Sequence, residues 1–278
     1  MKKTAVITGG AGGMGIAIAR RLGSGYEFLL ADVAQDRLDQ AAAQLAEQGI
    51  RAEGMVCDIA HRPSVGRLLD RAADMGQVAA VIHTAGLSPH MADPGRIMEV
   101  NALGTAYMIE ETYRVIAHGG VMVNISSMAG HNIPAGGPYD QALERPLEEG
   151  FLAAAAQLVQ GMASQAGETG AAYVLSKYFT IRYSKQNAAR FGQKGARIVS
   201  VSPGAIETPM GRTEYEAKGS RMAAMLEMTP ISRFGQASEI ASAVAFLVGP
   251  DASYITGTDL LCDGGFIGAS QNPQVGQE

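Results

Sequence analysis

Residues 3–15 read KTAVITGGAGGMG, and IAIARRLG follows at 16–23. Lys3 to Thr8 is a short apolar run rich in β-branched residues, the pattern of a buried parallel strand. Gly9, Gly10, Gly12, Gly13 and Gly15, with Met14 among them, predict a turn, and the apolar-periodic stretch beyond predicts a helix. In that context the glycines let the backbone approach a pyrophosphate, and the helix N-terminus offers it free N–H groups and partial positive charge. The next apolar run, YEFLLA at 26–31, ends in Asp32. A carboxylate about 20 positions past such a turn can accept both ribose hydroxyls of an adenosine and would repel a 2′-phosphate, so NAD is expected over NADP. Glycine rather than a basic residue at position 12 agrees. The plain alternative for Asp32 is a helix cap. Arg37 is expected on the solvent face of the helix that follows.

Outward from this unit the pattern repeats. Ala52 to Val56 predicts a third strand, leading to Cys57, Asp58 and Ile59. Asp58 is placed either to meet an adenine amino group or to cap the helix beyond Pro63. Val78 to His83 predicts a fourth strand, followed by Thr84, Ala85 and Gly86, small enough to let a ribose or nicotinamide approach. Residues 94–117 read as helix and contain Asn101. Gly120 to Ile125 predicts a fifth strand ending at Ser126 and Ser127, and 196–202 a sixth, ending at Pro203, Gly204, Ala205, Ile206, Glu207 and Thr208. A helix at about 237–248 and a strand near 258–262 complete the series. Strands alternating with helices indicate an α/β fold, a Rossmann-type doubly wound parallel sheet of about seven strands, with ligand outside the strands' carboxyl ends. There is no internal repeat or linker, so 1–278 is expected to be a single dinucleotide-binding and catalytic domain.

Residues 173–177 read YVLSK. Four residues is about one helical turn, so Tyr173 and Lys177 share a helix face. Alone this pair says little. In order along the chain stand Thr8-Gly9-x-x-x-Gly13-x-Gly15, Asp58, Ala85-Gly86, Asn101, Asn124-Ile125-Ser126-Ser127, Tyr173-x-x-x-Lys177 and Pro203-Gly204. Together they resemble the classical short-chain dehydrogenases/reductases from about residue 4 to residue 267. The resemblance implies a general acid/base at Tyr173, its activator at Lys177, a holder of the substrate oxygen at Ser127, and a water-linked proton relay through Asn101. It also implies an NAD site of Gly9, Gly12, Gly13, Met14, Gly15, Asp32, Val33, Asp58, Ile59, Ala85, Gly86, Pro203, Gly204, Ile206 and Thr208, with Tyr173 and Lys177 touching it. A phenol titrates near 10 and needs a neighbouring cation to act as a base at neutral pH, which Lys177 supplies. The reaction implied is hydride transfer between NAD(H) and a secondary alcohol or ketone. An NADP-dependent carbonyl reductase and a non-catalytic dinucleotide sensor are the alternatives.

Three departures stand out. His83-Thr84-Ala85-Gly86 replaces the family's Asn-Asn-Ala-Gly, and His83 is expected to be structural. The loop from Gly86 to Asn101 is short. Ser127 and Tyr173 lie 46 positions apart (127 to 173), where most members have about a dozen, consistent with an inserted element. The insertion, about 138–168, resembles that of the bacterial 3α-hydroxysteroid dehydrogenase/carbonyl reductase subgroup. An alanine-rich helix is expected over Gln141–Gln165, packed on the domain, on a partner subunit, or over the site as a lid. The catalytic helix is expected to run to about residue 192.

The formal net charge of −5 argues against nucleic acid as a main partner, because phosphate binding needs a concentrated basic surface. No apolar run approaches the roughly 20 residues of a membrane span. Cys57 and Cys262 read as free thiols, without metal-ligand spacing nearby. The expectation is a soluble, cytoplasmic protein with a small-molecule substrate and no metal, assembled as a dimer or tetramer. Met210, Met222, Met225 and Met228 either line a pocket for a bulky apolar substrate or pack on the core.

Overall fold

The structure is a computed structural model, and it describes residues 2–208, 211 and 219–272. Nine strands are described: β1 (Lys3–Thr8), β2 (Glu27–Asp32), β3 (Ala52–Val56), β4 (Gln77–His83), β5 (Val121–Ile125), β6 (Arg197–Pro203), β7 (Ile206–Glu207), β8 (Gly235–Gln236) and β9 (Asp259–Cys262). Seven form one parallel sheet, as the sequence predicts, in the order β3-β2-β1-β4-β5-β6-β9. The two-residue strands β7 and β8 pair separately; they are too short to leave a periodic signal. From β1 the chain runs outward to β3, then returns to lay β4 on the other side of β1. That reversal opens the crevice where an α/β sheet receives its ligand.

Helices α1 (Gly13–Leu22), α2 (Gln35–Ala46), α3 (Arg62–Met75), α4 (Pro94–Met98) and α5 (Gly104–Val115) precede β5. Then come α6 (Pro138–Ala142), α7 (Phe151–Gln186) and α8 (Ala188–Gln193), followed by helices Ser220–Met228, Ala237–Val248 and Phe266–Gln271. Alternation along β1 feeds two cores. Val6 packs with Leu68, Ile109 and Leu175 on one face, while Ala5 and Ile7 pack with Ile18, Leu38 and Ile240 on the other.

The insertion differs from its expected outline. Its helix starts at Phe151, not near Gln141, because Pro146 disfavours helix at Arg145 and Gly150 enters the helix at φ 93°. Gly167 (φ 69°, ψ 166°) then breaks α7 into 151–166 and the segment 168–186, which carries Tyr173 and Lys177. Phe151, Ala155 and Val159, four apart, are buried against the domain's own core, with the Phe151 ring 5.7 Å from that of Phe179. Asp140 ties α6 to the segment 168–186: it accepts a short hydrogen bond from the Tyr178 hydroxyl and pairs with Arg182 at 3.1 Å. The inner face of the insertion therefore packs on the domain. The helix carrying Tyr173 and Lys177 ends at Gln186 rather than near 192, and Ala188–Gln193 is a separate short helix. Met210 and the tail from 273 lie outside the described residues.

Candidate active site

The glycine turn joins β1 to α1. Gly9 sits at φ 64°, and a Cβ on Gly15 would stand 2.5 Å from the Gly9 carbonyl oxygen. No side chain caps α1, whose N-cap is Gly12. The first-turn N–H groups of Gly13, Met14 and Gly15 thus have no partner within the helix, which fits an anion. At the end of β2, Asp32 accepts from Val33 N at 2.9 Å. Val33 is 67% exposed, and Val56, paired in register with Asp32, is 47% exposed, leaving an apolar surface a planar base could cover. Arg37 is exposed on the solvent side of α2, as expected. Its guanidinium turns back over the glycine turn, donating to the Ala11 carbonyl at 3.3 Å and standing 3.7 Å from Asp32 Oδ1.

Asp58 accepts from Ala60 N at 2.9 Å and from Arg96 at 3.1 Å, and Arg96 also pairs with Glu99 at 2.7 Å. Ile59 is buried against Gly104, so only its backbone can face a ligand. These residues fit the adenosine and pyrophosphate of a dinucleotide.

Between α4 and α5 the helix widens into a π turn at Glu99–Leu103, a local form common at functional sites. Asn101 sits in it, buried. Its amide accepts from Leu87 N at 2.7 Å and donates to Leu87 O at 2.9 Å and Ser176 Oγ at 3.2 Å. Gly86 lies between this amide and Lys177: a Cβ there would meet Asn101 Oδ1 at 3.2 Å and Lys177 Nζ at 3.5 Å. Lys177 is buried, donates to the Ile125 carbonyl at 3.1 Å, and lies 5.7 Å from the centre of the Tyr173 ring. Burial pushes its ammonium down to about 8. It remains mostly charged at neutral pH.

Ser126 and Ser127 end β5. Ser126 Oγ donates to the Lys177 carbonyl at 2.7 Å, fixing the strand end to the helix that carries Tyr173 and Lys177. Ser127 opens the tight turn Met128–Asn132, its hydroxyl accepting from Ala129 N at 3.2 Å. Gly130 lets that turn seat on the helix, because a Cβ would fall 2.8 Å from the Lys177 carbonyl carbon. After β6, Gly204 N donates to Cys262 O at 2.9 Å, and Thr208 Oγ1 accepts from Gly211 N at 3.0 Å. Beside this loop lies a cavity of about 210 Å³ lined by Met128, Ile206, Met225, Leu226, Ile231 and Ile240. Its charged lining groups are already satisfied: Asp263 accepts from Gly265 N and Ile267 N, and Arg233 forks onto Glu239. Met225 lines the cavity, whereas Met228 is exposed.

His83 takes over the missing asparagine's place. Nδ1 lies 2.7 Å from Thr8 Oγ1 and Nε2 lies 3.1 Å from Thr105 Oγ1. The Thr105 hydroxyl donates to Asn101 O at 2.6 Å, so Nε2 must carry the proton and Nδ1 must accept from Thr8. His83 therefore braces β1, β4 and the π turn as a neutral ring. Burial, with Lys177 adding to it, pushes its pKa down to about 3. The unfolded chain binds this proton from about pH 6.5 downward and the folded chain does not, so stability falls with pH between about 6.5 and 3. The expected loss is about 1.4 kcal/mol per pH unit in that window. Urea unfolding at pH 7 and pH 5 measures it, and His83→Asn should flatten the difference. An unchanged slope in the variant would assign acid lability elsewhere.

The fold and site define a nucleotide-binding oxidoreductase architecture, and comparison with known proteins agrees. The family model described as short chain dehydrogenase matches residues 3–140, and that described as Enoyl-(Acyl carrier protein) reductase matches 140–267. A short-chain dehydrogenase/reductase, bsc3, of Alternaria brassicicola is 35% identical, covering 96% of this chain and 97% of its own. D-threitol dehydrogenase of Mycolicibacterium smegmatis is 29% identical over 95% of this chain and 92% of its own. A short chain dehydrogenase of Burkholderia cenocepacia, solved in complex with NADP, superposes with a TM-score of 0.74 at 25% identity, covering 95% and 98% of the two chains. The chain belongs to the short-chain dehydrogenase/reductase family and is an oxidoreductase of that family. Among the described residues no helix is long and apolar enough to cross a membrane, and no His, Cys, Asp and Glu cluster could hold a metal ion.

Proposed function

We propose that this protein interconverts a secondary alcohol and a ketone with NAD(H), on an uncharged, largely apolar substrate. The observation that carries the reading is the convergence of buried Lys177 and Asn101, with Gly86 between them, beside Tyr173. Asp32, Val33, Asp58, Ile59 and the turn Gly9, Gly12, Gly13, Met14 and Gly15 would hold the adenosine half of the dinucleotide. Ala85, Gly86, Pro203, Gly204, Ile206 and Thr208 would hold the other half. When bound, the nicotinamide supplies or takes the hydride. Ser127 Oγ holds the substrate oxygen by a hydrogen bond. Tyr173 gives that oxygen a proton in reduction and removes it in oxidation. The Lys177 ammonium, desolvated and close to the ring, favours the phenolate and so lowers the cost of that transfer. Asn101, held by both Leu87 backbone groups, is placed to keep a water in line with Lys177 for the proton's return to solvent. The cavity beside Met128, with its charged groups already paired, supports an apolar substrate. The reading includes a cytoplasmic homo-oligomer, dimer or tetramer.

One observation favours a second reading, in which NADP serves. Arg37 stands at Asp32, where it could meet a 2′-phosphate. Parallel titrations with NADH and NADPH decide between them. Asp32 as ribose acceptor predicts NADH tighter by about tenfold or more, the scale of a repelled charge, and Asp32→Ala should erase the preference. Tighter NADPH binding, lost in Arg37→Ala, would overturn it. Substrate class is read by NADH turnover across cyclohexanone, acetophenone, androstane-3,17-dione and, in the oxidising direction, D-threitol.

A further inference from the structure

We propose that His131 and Asp259 form an anchor that positions Ser127; the catalytic part of the proposal rests on the reading of Ser127 given above. Asp259 opens the edge strand β9, and its side chain is 2% exposed. It accepts from Ser200 Oγ at 2.5 Å, Ser202 Oγ at 3.0 Å and His131 Nε2 at 2.9 Å. A buried carboxylate is costly unless its hydrogen bonds are filled and a cation stands near. Two neutral hydroxyls on β6 fill two of those positions, and the imidazole fills the third. That demand draws His131 across the sheet from β5 to β9.

His131 belongs to the turn Met128–Asn132 that Ser127 opens. Within it, Ala129 N donates to Ser127 Oγ at 3.2 Å and Gly130 N to Ser127 O at 3.0 Å. On the helix side, Ser126 Oγ binds the Lys177 carbonyl and Gly130 abuts the same residue. Those contacts fix the turn's near edge to the catalytic segment. His131 fixes the far edge to β9, and Ser127 lies between the two. With one edge free the turn can rock about the helix, carrying the Ser127 hydroxyl with it. A shift near 1 Å of a positioning group can cost up to about a hundredfold in rate.

Two measurements on the full chain test this. The first needs no substrate: hydrogen exchange of the Ala129 and Gly130 amides. His131→Ala should speed it about tenfold, and His131→Gln, whose amide N–H can still reach Asp259, should restore protection. Exchange changed less than about twofold in His131→Ala would overturn the anchor, whatever Tyr173 does. The second is turnover with the fastest compound of the panel above. His131→Ala should lower kcat about tenfold with dinucleotide KM within about twofold, and His131→Gln should recover most of it. Because His131 acts through Ser127, Ser127→Ala combined with His131→Ala should be no slower than Ser127→Ala alone. Multiplied losses, or a Gln variant as slow as Ala, would contradict positioning. Activity retained in Tyr173→Phe would defeat the catalytic reading while leaving the exchange result standing. Should His131→Ala fail to fold, adding Asp259→Asn removes the stranded charge, and the same readouts apply.

Discussion

Lys177→Met is expected to lower turnover by about a thousandfold, the scale of assisted proton transfer, and to raise the stability of the fold at pH 7. Both effects come from one buried ammonium. Its amine is held by the Ile125 carbonyl, and burial lowers its pKa to about 8 from 10.5. Keeping the group charged in the fold therefore costs on the order of 3 kcal/mol. The sign follows from proton binding. Between about pH 8 and 10.5 the unfolded chain holds the proton and the folded chain does not, so stability rises with pH there. Below about 8 the full cost applies. Methionine fills similar volume without a charge to desolvate, so the variant should gain most of that amount at pH 7 and lose the dependence above pH 8. The same substitution leaves Tyr173 with no cation to favour its phenolate. Denaturant melts at pH 7 and pH 10, beside single-turnover rates, measure both. A variant that is less stable at pH 7, or that keeps turnover within about tenfold, would contradict this use of the lysine.

The second large effect falls on a residue with no functional group. Gly130→Ala places a methyl 2.8 Å from the Lys177 carbonyl carbon, 2.9 Å from its oxygen and 2.9 Å from Ile181 Cδ1. The side chain of Ile181 can yield. The helix backbone cannot, so the turn must lift, and Ser127 lifts with it. Turnover should fall by about a hundredfold through lost alignment, and stability by about 1–3 kcal/mol through overpacking. Dinucleotide affinity should be little changed, since the glycine turn and Asp32 are on other strands. Kinetics and calorimetric melts check this. Wild-type turnover in a folded Gly130→Ala protein would show that the close seat of the turn is dispensable.

The parts of the fold that were legible in the sequence are those fixed by local pattern. The sheet strands read as apolar runs, and the candidate site residues stand just past their ends, apart from Tyr173 and Lys177, one helical turn apart, and Asn101, in the π turn. What local pattern does not carry was missed or misplaced. Arg37 lies in an ordinary amphipathic helix, and only the folded chain brings Ala11 and Asp32 within its reach. The inserted helix reads as alanine-rich from Gln141, but Pro146 and Gly150 hold its start back to Phe151. His83 was recognisable as structural, yet its brace needs Thr105, in the first turn of α5 and 22 positions away. The pairing of His131 with Asp259 spans 128 positions and has no local signature. Gly130 could have been found, because a glycine three residues past Ser127 in a stretch due to pack on a helix signals close approach.

The most direct test of the central claim is NADH turnover by Tyr173→Phe beside the wild type, on the panel that spans small, aromatic and steroid ketones, with dinucleotide binding measured in parallel. The ring and its packing survive this substitution, and only the hydroxyl is lost. The account predicts that any turnover found in the wild type disappears in the variant while NADH affinity stays within about twofold, as for a group that acts in the transition state alone. Turnover retained in Tyr173→Phe would contradict it.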